Sequence, residues 1–124
     1  MEFDWREYLR LAERLRQSGE EAALRTALSR TYYWVYHLSR LYAEENSYSE
    51  RTAPGRGSHE KLWKWCEAQS DLRLKKLGFN GNRMRKLRNN ADYNSMPIGG
   101  LGDEVSRQLQ RARECEKLVR TLRE

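Results

Sequence analysis

Leu24-Arg25-Thr26-Ala27-Leu28-Ser29-Arg30-Thr31-Tyr32-Tyr33-Trp34-Val35-Tyr36-His37-Leu38-Ser39-Arg40-Leu41-Tyr42 decides the fold. Leu24, Ala27, Leu28, Thr31, Val35, Leu38 and Tyr42 recur with the 3.6-residue period of one helical face, and neither Gly nor Pro interrupts them. The pattern predicts one long helix over about residues 19–45, roughly 38 Å at 1.5 Å per residue. A second stripe, Arg30, Trp34, His37 and Leu41, lies beside the first. Two faces of this helix are therefore expected to leave solvent, one for the core and one for a site or a second copy of the chain.

Working outward, Trp5, Tyr8, Leu9, Ala12 and Leu15 predict a first helix over about 3–17, ended by Ser18-Gly19. Ser18 and Glu21 have the spacing of a capping box for the long helix. The polar stretch 46–58, with Pro54, Gly55 and Gly57, reads as a mobile loop. Ser58 is positioned to cap a third helix over about 59–70, with Leu62, Trp65, Cys66 and Gln69 inward. Gly78 and Asn80-Gly81-Asn82 read as a turn before a fourth helix over about 82–92. Asp103 is placed to cap a fifth over about 103–123, with Val105, Leu109, Ala112, Val119 and Leu122 as its stripe. No segment alternates with period two. The expected architecture is all-α, a four- to five-helix antiparallel bundle forming one domain over 1–124.

Composition narrows the function. Charged residues make up 34% of the chain, against about 25% in an ordinary globular domain. Seven of the 24 basic residues fall between Leu72 and Arg88 (Arg73, Lys75, Lys76, Arg83, Arg85, Lys86, Arg88) with no acid among them, while the other 17 nearly cancel the 18 acids. The net charge of +6 thus belongs to one 17-residue stretch. A concentrated basic block is what phosphate contact requires, because each neutralised phosphate releases counterions. Arg73, Lys75, Lys76, Arg83, Arg85 and Lys86 are accordingly the expected nucleic-acid-binding residues.

Other classes find little footing. The longest apolar run, Tyr32 to Tyr36, is five residues, far short of a membrane span. The acidic start Met1-Glu2-Phe3-Asp4-Trp5 has no apolar signal core, so a cytoplasmic protein is expected. Cys66 and Cys115 form no Cys-x-x-Cys pattern, and only His37 and His59 accompany them, so neither a metal site nor a cofactor is expected. No Gly-rich phosphate loop or Ser–His–Asp order is present.

Three segments carry a resemblance. Ser29-Arg30-Thr31-Tyr32-Tyr33 on the long helix, Ser58-His59-Glu60-Lys61-Leu62-Trp63 at the third, and Arg88-Asn89-Asn90-Ala91-Asp92-Tyr93 on the fourth follow the order and spacing seen in HEPN-domain proteins. The chain resembles that family over about residues 3–122. The resemblance implies a helical bundle, usually homodimeric, and in active members a metal-independent ribonuclease site where two copies of helix four meet. It implies Arg88 on the scissile phosphate and Asn89 beside it. The family's His belongs at 93, 94 or 95, where this chain has Tyr93, Asn94 and Ser95. Tyr93 then falls at the proton-transfer position, and His37 is a second source of an imidazole. An endoribonuclease of a defence or toxin–antitoxin system is one expectation. A catalytically silent dimeric adaptor for a protein partner, such as an antitoxin or a nucleotidyltransferase, is the other.

Overall fold

The computed structural model describes residues 1–124 as five helices and no strand: α1 Glu7–Leu15, α2 Glu21–Glu45, α3 Gly57–Ala68, α4 Leu72–Tyr93 and α5 Leu101–Arg123. The chain is an all-α bundle built around α2, which is flanked by α1, α4 and α5, while α3 lies chiefly against α4. No helix is long and apolar enough to cross a membrane.

The α2 stripe behaves as its period requires. Ala27, Thr31 and Val35 are fully buried, and Leu24, Leu28 and Tyr42 nearly so. The second stripe is also used inside the chain: Trp34 is buried, and His37 stacks on Trp5 with ring centroids 3.6 Å apart. Only Leu41 is left exposed. The second stripe is thus covered as far as His37 by residues of this chain, and beyond it Leu41 lines a surface groove with Phe3, Trp5, Trp34 and Leu38.

Three expected caps are made differently. The residue before α2 is Glu20, whose side chain makes no cap bond. At α3 the helix starts at Gly57, and the Glu60 carboxylate reaches back to accept the Arg56 N–H at 2.6 Å. At α5 the start is Leu101, because Gly100 takes φ +64° and turns the chain in. Asp71 provides the one side-chain N-cap bond, accepting the Arg73 N–H of α4 at 2.8 Å.

The largest departure concerns α4. The glycines that read as a turn lie in its interior, and the helix is 22 residues long. Tertiary packing is the reason. A Cβ on Gly81 would stand 2.4 Å from the ring of Trp63, and one on Gly78 would stand 2.9 Å from the Trp63 carbonyl and from Cys66. The glycines are small so that α3 and α4 can touch, with Leu62, Trp63 and Cys66 buried in the contact. The segment 46–58, expected to be mobile, is held in its first half. Tyr48 is buried edge-on to Trp65, and Lys61 donates to the Glu50 carbonyl at 2.9 Å. Both cysteines, Cys66 on α3 and Cys115 on α5, are fully buried free thiols.

Candidate nucleic-acid interface

Because α4 is one continuous helix, its residues sort onto two faces. Leu74, Leu77, Met84, Arg88 and Ala91 point into the bundle. Leu72, Lys75, Lys76, Phe79, Arg83 and Lys86 follow the 3.6 period along the opposite side, and all six are exposed. Of the basic residues on α4, only Arg73, with Asp71, and Arg88, with Asp92, are ion-paired. Lys75 donates to the Glu67 backbone carbonyl at 2.8 Å rather than to a carboxylate. Arg83 and Lys86 also line a groove of about 260 Å³ between α4 and α5, shared with Arg107 and Arg111 of α5. Its single acid, Glu104, is engaged by Arg107 at 3.2 Å and by the Gln108 amide at 2.7 Å. The outcome is a row of cations running from Lys75 into a basic groove.

The six expected nucleic-acid-binding residues do not all share one face. Lys75, Lys76, Arg83 and Lys86 share the outer face. Arg73 is turned to Asp71 and to the Thr121 carbonyl at 3.1 Å. Arg85 is half-buried, its Nε donating to Asn82 at 3.0 Å, and it lies on the side of α4 that faces α3.

The expected catalytic residues lie elsewhere. Arg88 is 92% buried, with only 8% exposed, and its guanidinium carbon sits 5.3 Å from the Tyr32 ring centroid and 5.2 Å from that of Tyr33. Nη1 lies 3.6 Å from Asp92, and Nε is buried without a partner. Arg30 stands over the same Tyr33 ring at 4.8 Å and over Tyr8 at 4.9 Å. The Ser29 hydroxyl joins the two: it accepts from Arg30 at 3.2 Å and donates to Asp92 at 3.3 Å. Two like charges are held around one electron-rich ring, an arrangement that desolvated cation–π contact stabilises. Asn89 is half-buried, whereas Tyr93 ends α4 with 79% of its surface exposed.

His59, not singled out for chemistry by the sequence, is the imidazole beside Arg88. It stacks on Tyr36 at 4.2 Å and shares the Tyr32 ring with Arg88. Trp63 Nε1–H donates to the Tyr32 hydroxyl at 3.0 Å, and His59 Nδ1 lies 2.5 Å from that hydroxyl. The buried hydroxyl has one proton of its own, and giving it to His59 Nδ1 satisfies all three groups. Burial, helped by the positive charges of Arg88 and Arg85, lowers His59 to about 4 from its ordinary 6.5. His37 falls to about 4 through burial and then the nearby Arg40, whose guanidinium is 3.3 Å from Nδ1. Both imidazoles are neutral at pH 7. Burial in turn pushes the Tyr32 hydroxyl well above its ordinary range.

Missed by sequence reading as well is Arg25, which closes the C-terminal end of α4. It donates to the carbonyls of Ala91 at 3.1 Å, Met96 at 2.6 Å and Asn94, and it pairs with Glu21. A scan against protein-family models, a search of curated proteins and a search of solved structures each find no match.

Proposed function

We propose that this chain is a HEPN-like domain that binds RNA along α4 and does not cleave it. The observation that carries the reading is the outer face of α4: Lys75, Lys76, Arg83 and Lys86 are exposed, aligned and free of ion pairs. Counterion release from contacted phosphates drives such binding with little dependence on sequence. The order of the three sequence segments and the all-α bundle support the family part of the reading.

Cleavage needs a cation on the phosphate and a proton-transfer group poised together. Arg88 is buried beneath two tyrosines and paired with Asp92, while Tyr93 is turned to solvent. That geometry favours a structural Arg88, tying α4 to α2. Fluorescence anisotropy with labelled RNA at low salt tests the reading. Wild type is expected to bind, and Lys75→Glu/Lys76→Glu/Arg83→Glu/Lys86→Glu to lose binding while keeping its helical circular dichroism. Wild-type protein that fails to bind, or binding untouched by the four substitutions, refutes it.

A further inference from the structure

We infer that Phe79 is a stacking platform for an unpaired base, so that the nucleic acid taken by α4 is single-stranded. The inference rests on the RNA-binding reading and adds the class of strand and the residue that selects it. Phe79 is 58% exposed, although it is one of only two phenylalanines in the chain. Its nearest neighbours along the outer face of α4 are cations. Lys75 and Lys76 lie one turn before it on the same face, Arg83 lies one turn after, and Lys86 lies two turns after. No acid falls on α4 between Leu72 and Ala91.

A singly exposed ring is ordinary, and what sets Phe79 apart is its place within a row of cations. Here the nearest exposed apolar residue on the face is Leu72, two turns away. A base offers what the site lacks: a π-face for the ring, with phosphates on either side for the cations. From Leu72 to Lys86 the face is about 21 Å long at 1.5 Å per residue, and beyond Phe79 it continues into the groove of Arg107 and Arg111. A strand can thus be stacked at Phe79 and led by its phosphates toward α5. In a duplex the bases are already stacked on one another, so Phe79 has nothing to receive and only the charge remains. An anionic lipid surface meets the same charges, but two isolated apolar side chains give it little to insert.

The experiment compares Phe79→Ala, Phe79→Trp and wild type by anisotropy. The probes are an unstructured single-stranded RNA of about 12 nucleotides and the duplex of the same length. Thermal melts monitor folding, which an exposed position leaves intact. For the single strand, Phe79→Ala is expected to weaken binding roughly 5- to 150-fold and Phe79→Trp to retain it, because one stacked base is worth that factor. For the duplex the three proteins are expected to bind alike. Phe79→Ala binding the single strand like wild type, or losing duplex equally, overturns the inference; the RNA-binding reading survives if the four-fold charge variant still fails to bind. Wild type that binds neither RNA brings down both. Phe79-dependent binding to vesicles containing phosphatidylserine, without Phe79-dependent RNA binding, assigns the face to a membrane surface and overturns the inference.

Discussion

Gly81 lies against the indole of Trp63, so close that a Cβ would stand 2.4 Å from two ring carbons and 2.6 Å from a third. In an exposed helix a Gly→Ala change gains about 1 kcal/mol in helix propensity. Here the added methyl must displace a fully buried indole, and overpacking of that kind costs typically 1–3 kcal/mol or more. We predict that Gly81→Ala is net destabilising by about 1–2 kcal/mol, read from urea unfolding. Because Trp63 donates to Tyr32, which holds His59, the same variant should also change tryptophan fluorescence.

Folding stability should fall as the pH drops from 7 toward 4. His59 and His37 both titrate near 4 in the folded chain against 6.5 when unfolded. Between those values the unfolded chain binds more protons, so stability rises with pH across that window and is fully present above 6.5. Urea midpoints at pH 7 and pH 5 check the sign. His59→Gln and His37→Gln should each flatten the difference, whatever they do to absolute stability.

Arg88→Ala should destabilise the fold by about 2–3 kcal/mol, since it takes the ion-pair partner from Asp92 and removes a desolvated cation from two tyrosine rings. Arg88→Lys should recover little, because an ammonium lacks the planar face that stacks. In EDTA, neither wild type nor Tyr93→His should cleave single-stranded RNA. Cleavage abolished by Arg88→Lys in a folded protein would return Arg88 to a catalytic role.

How far the sequence reached differs between elements. The 25 residues of α2 were legible because a fully buried face leaves an unbroken 3.6 period, as Ala27, Thr31 and Val35 illustrate. Gly78 and Gly81 misled because local rules assign glycine to turns, whereas here it answers to the bulk of Trp63 on another helix. That misreading split α4, and with it the row from Lys75 through Phe79 to Lys86 that only a continuous helix aligns. His59 carried no signal of its own: its role comes from Tyr32, 27 residues earlier, and from Arg88, on a third element.

Binding to RNA should be strongly salt-dependent. With about four phosphates met by Lys75, Lys76, Arg83 and Lys86, the slope of log affinity against log salt should be about −3 for a single strand. Each single Lys→Ala change should reduce that slope by about 0.7. Titrations at several salt concentrations read both numbers.

Arg25→Ala should loosen the C-terminal turn of α4 by about 2 kcal/mol, because charge-assisted bonds to the carbonyls of Ala91, Asn94 and Met96 are lost together. Hydrogen exchange of the amides from about 90 to 96 localises the effect.

The two cysteines give this chain a built-in clock. Burial pushes the thiols of Cys66 and Cys115 up to about 12, so an alkylating reagent near neutral pH finds almost no thiolate and no path to it. Each thiol becomes reactive only while its own helix is open. One sits where α3 meets α4 and the other on α5, so their separate labelling rates time the parting of α3 and the release of α5. Equal rates mean that the bundle opens in one step; a faster Cys66 means that α3 leaves first.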